Sequence, residues 1–209
     1  MSPCPDPRGL QELTNRWSAL VPDAAPVFDD LVSRWGAPER HYHDLRHLAE
    51  ALSALDLLGG GPLEHLALWF HDAVYGLGPG RDERASAELA RDRLEVAGAP
   101  DADVDEVVRL VLVTEHHSPR SDDAAGARVS DADMAILGSG AERYADSVRG
   151  IRAEYARYDD ETFRLGRMAV LRDFLARDRI FLTPTGYDRW EVRARHNIAE
   201  ELRRREALG

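Results

Sequence analysis

The amino-acid sequence predicts an all-α protein of about eight to ten helices, on three observations. Apolar residues recur at helical spacing along most of the chain, alternating strand-like runs are scarce, and the breaks between apolar segments coincide with glycine and proline. The 209 residues suffice for a sizeable core, so 1–209 reads as one domain, with a helical core over about 24–178 and a C-terminal surface helix over about 187–207.

In chain order, helices are expected over 8–21 and 24–35, then over 44–58, where Asp44 is placed as an N-cap ahead of the apolar-periodic run LAEALSALDLL. Gly59, Gly60, Gly61 and Pro62 end that helix, and the apolar run LEHLALWFHDAVY predicts the next over 63–73. A glycine-rich loop, Gly76 to Gly80 with Pro79, separates it from a helix over 82–97, and DEVVRLVLV marks another over 102–116. Residues 118–130, SPRSDDAAGARVS, are small and polar and read as the longest loop. Asp131 then serves as an N-cap for a helix over 131–138, Gly138-Ser139-Gly140 turns the chain into 140–157, and a further helix covers 160–178. From Tyr187 onward many arginines stand among few apolar positions (Trp190, Val192, Ile198, Leu202), the pattern of a helix lying on the surface.

Composition narrows the function. No apolar run approaches the roughly 18 residues that span a bilayer. The N-terminal stretch MSPCPDPRGLQ has neither the basic nor the apolar part of a secretory signal, so a soluble, cytoplasmic protein is expected. Cys4, the single cysteine, excludes an internal disulfide and a cysteine-rich zinc site. All 27 basic residues are arginine, which excludes lysine Schiff bases and a P-loop ammonium. A formal net charge of −11 argues against a long nucleic-acid partner, because such proteins carry a basic stripe, but leaves room for a small anionic substrate met by local arginines and a metal. There is no GxSxG elbow, and the glycines at 76–80 lack the strand that precedes a dinucleotide fingerprint.

Four clusters carry the candidate chemistry. His71-Asp72 ends an apolar, buried-looking run, and a buried charge requires a partner. Three histidines lie within seven residues at His41, His43 and His47; with a helix starting near Asp44, His43 and His47 stand about one turn apart and can face the same cavity. Thr114-Glu115-His116-His117 closes the helix DEVVRLVLV, where a histidine also suits the negative helix end without any ligand. Asp131-Ala132-Asp133 opens the run MAIL. Each cluster alone has an ordinary structural reading. Together they deliver imidazoles and carboxylates to the ends of different apolar helices, a donor mixture that suits one or two divalent ions of Mn, Fe, Co, Ni or Mg.

The order of these clusters, H then HD then D, resembles the HD-domain superfamily of metal-dependent phosphohydrolases, and more closely an uncharacterised branch of predicted metal-dependent HD phosphohydrolases. The segments that carry the resemblance are RHYHDLRH (40–47), ALWFHDAVY (67–75), DERASAELA (82–90), TEHH (114–117), DADMAILG (131–138), IRAEY (151–155) and ARHNIAEEL (194–202). The resemblance implies the helical HD-domain fold and a divalent ion held by His47, His71, Asp72 and Asp133, with Asp131 as the alternative last ligand. It implies hydrolysis of a small phosphorylated metabolite or nucleotide, with Asp72 also positioning water, with His43, His117 or Glu83 as general acid or base, and with Glu83 as a candidate for orienting the attacking water. His117 is also open as a ligand of a second ion. Arg40, His43, Arg46, His117 and Arg152 are then the candidates for contact with substrate. Two rivals follow from the same resemblance: a di-iron oxygenase, and a non-catalytic module that keeps the ion for structure or ligand sensing. The loops at 76–80 and 118–130 are expected on the pocket rim.

Overall fold

A computed structural model describes residues 7–207 except Pro79 and Asp23. The described residues form ten α-helices, one 3-10 helix and no strand, as the sequence predicts. In chain order they are α1 (Pro7–Leu20), α2 (Ala25–Trp35), α3 (Leu45–Leu58), α4 (Pro62–Phe70), α5 (Asp82–Val96), α6 (Asp101–Val113), α7 (Ala124–Asp133), the 3-10 helix (Met134–Gly138), α8 (Ala141–Glu154), α9 (Asp160–Ala176) and α10 (Pro184–Glu206).

Local chemistry sets the boundaries that matter for the site. Asp44 caps α3, its Oδ1 accepting the backbone N–H groups of Arg46 at 2.9 Å and His47 at 3.1 Å. Gly59, at φ 72, closes the same helix in the left-handed conformation that glycine adopts without steric cost. Helix α4 stops at Phe70, three residues short of the expected end, so His71 and Asp72 sit in the turn beyond it. Helix α6 likewise ends at Val113, before Thr114–His117.

Two expectations fail here. The segment expected as a long loop contains α7, capped by Asp123, whose carboxylate accepts the Gly126 N–H at 2.8 Å. Its small residues hide the helical period, since Val129 is its only large apolar side chain and is fully buried. Asp131 therefore lies near the C-terminal end of α7 rather than capping a following helix, and 134–138 is a 3-10 turn. Helix α10 begins at Pro184, and it is more than a surface helix: Ala194, Ile198 and Leu202 are buried, while Val192 points outward at 84% exposure.

Packing forms two apolar clusters. The first draws on α1 to α7 around Trp17, Trp35, Trp69, Phe70, Leu48 and Val111. The second gathers Met134, Tyr144, Leu171, Phe181 and Ile198 from the 3-10 helix, α8, α9 and α10. Trp190 packs against both, and the candidate site opens between them.

Candidate metal centre

His47 is on the first turn of α3 and 2% exposed, because the Asp44 cap fixes where the helix starts and so turns position 47 inward. His71 follows α4 and is fully buried, against the Trp35 ring at 5.2 Å between centroids. Trp35 in turn donates its indole N–H to the Trp69 carbonyl at 2.9 Å, fastening the end of α4 beside the histidine. His71 Nδ1 lies 2.7 Å from the Leu68 carbonyl. A carbonyl only accepts, so Nδ1 carries the proton and Nε2 is directed at the cluster.

The donor atoms converge there. His47 Nε2 lies 3.3 Å from His71 Nε2 and 3.1 Å from Asp133 Oδ1, and His71 Nε2 lies 3.5 Å from Asp133 Oδ1 and 3.2 Å from Asp72 Oδ2. His47, His71 and Asp133 offer atoms that all fall within 4.8 Å of one another. Ligands about 2.1 Å from an ion and at right angles to each other lie about 3.0 Å apart, so these separations suit a single divalent ion. Charge fits as well. Burial acts against a charge on His71, yet the carboxylates of Asp72 and Asp133 raise its pKa well above the ordinary value. Burial would raise both aspartates, but the histidines hold each of them lowered. Two ionised carboxylates facing two imidazoles thus demand positive charge between them, supplied by protons or by a cation. The buried His47–His71–Asp133 group can hold a metal ion.

Around this centre lies a cavity of about 190 Å³ lined by His43, Asp72, Glu83, His117, Asp133 and Ser147 among others. His43 Nε2 is 4.0 Å from Asp72 Oδ2. Burial works against its charge, but Asp72 and Glu154 leave its pKa raised. His117 has the opposite tendency, lowered chiefly by burial; its Nε2 lies 3.5 Å from Asp133 Oδ2 and its Nδ1 3.2 Å from Ser130 Oγ. Its backbone is strained, at φ 49, a value uncommon outside glycine. Glu83, on the first turn of α5, has its Oε2 buried with no hydrogen-bond partner among the described residues, and burial together with Asp72 raises its pKa.

The other predicted residues lie elsewhere. Asp131 is fully buried but turned away from the histidines: its oxygens accept the N–H groups of Leu182 and Thr183 at 2.8 Å each and the Thr183 hydroxyl at 2.7 Å. Of the two candidate last ligands, Asp133 is the one at the cluster. Arg40 is buried behind the site, donating to the carbonyls of His43 at 2.8 Å and Ala73 at 3.2 Å and stacking over Trp35 and Tyr75. Arg46 is outside the cavity, paired with Glu50 at 3.0 Å, and Arg152 pairs with Asp160. Residues 118–130 and the described residues of 76–80 do not line the cavity either; the latter are tied back by Asp82, which accepts the N–H groups of Gly76, Leu77 and Gly78.

One residue escaped the sequence reading. Glu154, at the end of α8, accepts three consecutive backbone N–H groups on Oε1, from His41 at 2.8 Å, Tyr42 at 2.8 Å and His43 at 2.9 Å. Its Oε2 is 2.7 Å from His43 Nδ1 and accepts the Tyr75 hydroxyl at 3.0 Å. Burial alone would raise its pKa, but His43 and these N–H groups bring it down to about 2. The segment IRAEY drew attention to Arg152, and nothing in the spacing marked the glutamate as the group that reaches back across the chain.

Comparisons with protein-family models, with curated proteins and with solved structures found no match.

Proposed function

We propose that this chain is a metal-dependent phosphohydrolase acting in the cytoplasm on a small phosphorylated metabolite or nucleotide. The observation that carries the reading is the convergence of His47 Nε2, His71 Nε2 and Asp133 Oδ1, with Asp72 alongside, next to a cavity whose wall takes in Asp72, Asp133, His43, His117 and Glu83. A divalent ion held there supplies an acidified, oriented water and offsets charge developing on phosphorus.

The chain's own groups divide the remaining work. His43 and His117 flank the centre with opposite proton affinities, the pattern of a paired acid and base. His43, braced through Nδ1 by Glu154, presents Nε2 to the cavity, and its imidazolium form, favoured by Asp72 and Glu154, is suited to protonate a leaving oxygen. Glu83 offers a carboxyl oxygen with no partner among the described residues for orienting water. Asp72 lies between His71 and His43 and holds both in register.

The test is to strip the purified protein with chelator, restore Mn, Co, Ni or Mg singly, and follow phosphate release from nucleotides and sugar phosphates. Metal-dependent release that disappears in His71→Ala and Asp133→Asn supports the reading; a metal-replete protein that releases no phosphate from any of them overturns it. A second reading, a paired-iron oxygenase, draws on the proximity of His117 to the second oxygen of Asp133. Oxygen-dependent turnover with two irons per chain would establish it instead.

A further inference from the structure

A second cavity, of about 390 Å³, adjoins the first. The two share His43, Ile151 and Arg167 as wall residues, so this cavity lies directly beside the candidate centre. Its other walls are mostly rings and aliphatic groups from the end of α8 through α9: Tyr155, Tyr158, Phe163 and Val170. Tyr155 and Tyr158 stack at 5.9 Å with 29° between their planes, and Phe163 is tilted against Tyr155 at 5.9 Å. Guanidinium groups steady the rings: Arg152 and Arg205 over Phe163 at 4.9 and 5.2 Å, and Arg157 over Tyr158 at 5.0 Å.

We propose that this cavity binds the alcohol part of the substrate and that it takes a flat, uncharged aromatic group. Size permits it, since about 150 Å³ already accommodates a benzene ring. Ring walls favour a ring over an aliphatic group of equal area, because stacked and edge-on aromatic contacts add to simple burial. Charge is disfavoured. Arg167, the cation in the wall besides His43, is committed to both oxygens of Glu201 at 3.1 Å. A polyhydroxylated sugar would leave most of its hydroxyls against carbon, at the cost of their hydrogen bonds to water. The ring preference is a property of the cavity alone; calling its occupant part of a substrate rests on the phosphohydrolase reading.

The experiment keeps the two apart. The full chain, held in chelator, is titrated with 2-naphthylmethanol, cyclohexylmethanol and glycerol, with binding followed by saturation-transfer NMR. The naphthyl compound is expected to bind at least about fivefold more tightly than the cyclohexyl one, and glycerol not at all. Tyr158→Ala should weaken naphthyl binding. Gly166→Leu should do so more strongly, because Gly166 lines the cavity and a Cβ there meets no heavy atom within 4 Å, which leaves room for a side chain to start into the space. Leucine also suits a helix better than glycine, so that variant should keep the wild-type melting temperature. Equal binding of the naphthyl and cyclohexyl alcohols, no binding of either, or unaltered naphthyl binding in both variants would overturn the proposal. With metal restored, benzyl phosphate should exceed ethyl phosphate in kcat/KM. Turnover without that preference rejects the subsite and keeps the hydrolase; ring binding without any turnover does the reverse.

Discussion

Two aspartates two residues apart, Asp131 and Asp133, have separate work, and single substitutions should divide it. Asp131→Ala strands three part-buried donors at 182 and 183, which is expected to cost about 1–3 kcal/mol in urea unfolding while metal stoichiometry stays unchanged. Asp133→Ala is expected to abolish metal retention, measured by elemental analysis after dialysis, with a smaller effect on stability. Only the resemblance ranked Asp133 ahead of Asp131, because the contact that commits Asp131, the chain at 182–183, comes about fifty residues later. Glu154 gives a prediction with a sign. Its folded pKa of about 2 lies below the ordinary 4.5, so its contribution to stability is full above about pH 5 and is lost as pH falls through its folded pKa. Glu154→Gln should therefore cost about 3 kcal/mol at pH 7, and its deficit against wild type should narrow steadily between pH 5 and pH 3. A deficit that does not change with pH would mean that shape, not charge, is what the glutamate supplies.

At the scale of elements, the approach of α8 to the 41–43 segment governs the site. Gly150 permits it: a Cβ there would stand 2.4 Å from the His41 carbonyl oxygen and 2.9 Å from its carbon, both backbone atoms that cannot turn aside. Gly150→Ala is expected to destabilise by about 1–3 kcal/mol and to displace the His43 ring resonances in NMR spectra as Glu154 is drawn away. The positions of α2 to α6 were readable in advance because each carries a continuous apolar stripe, and Asp44 and Gly59 announce the two ends of α3. Helix α7 was not readable, since the residues it buries, Gly126, Val129, Ser130, Asp131 and Ala132, are small or polar but for one valine and leave almost no apolar period. The ends of α4 and α6 were placed too late for the opposite reason. Hydrophobic pattern runs on through turns, whereas the helices stop where His71 and Thr114 begin their caps. Histidines 47 and 71 were recognisable as a pair because each sits beside an apolar run that must face inward.

Across the whole molecule, the excess of acid shapes how substrate arrives. With a formal charge of −11, the field repels a phosphorylated compound, and added salt screens that repulsion. If the phosphohydrolase reading holds, kcat/KM for a dianionic phosphate should rise as NaCl is increased from about 0.01 to about 0.2 M, measured under steady-state conditions with the metal saturating. A fall would mean that local positive charge at the centre, from the bound ion and His43, dominates the approach. The absence of lysine has a practical side, since amine-directed reagents leave every internal side chain untouched. His47, His71 and Asp133 come from segments that are strangers in the chain, and none can complete the group before α3, the turn after α4 and the end of α7 have docked. An ion gripped by all three would be a removable crosslink closing a loop of about 85 residues, indifferent to any partly assembled chain. Possession of the ion would then certify that these three segments have met, and a chain in which they had not would have no loaded centre to misuse.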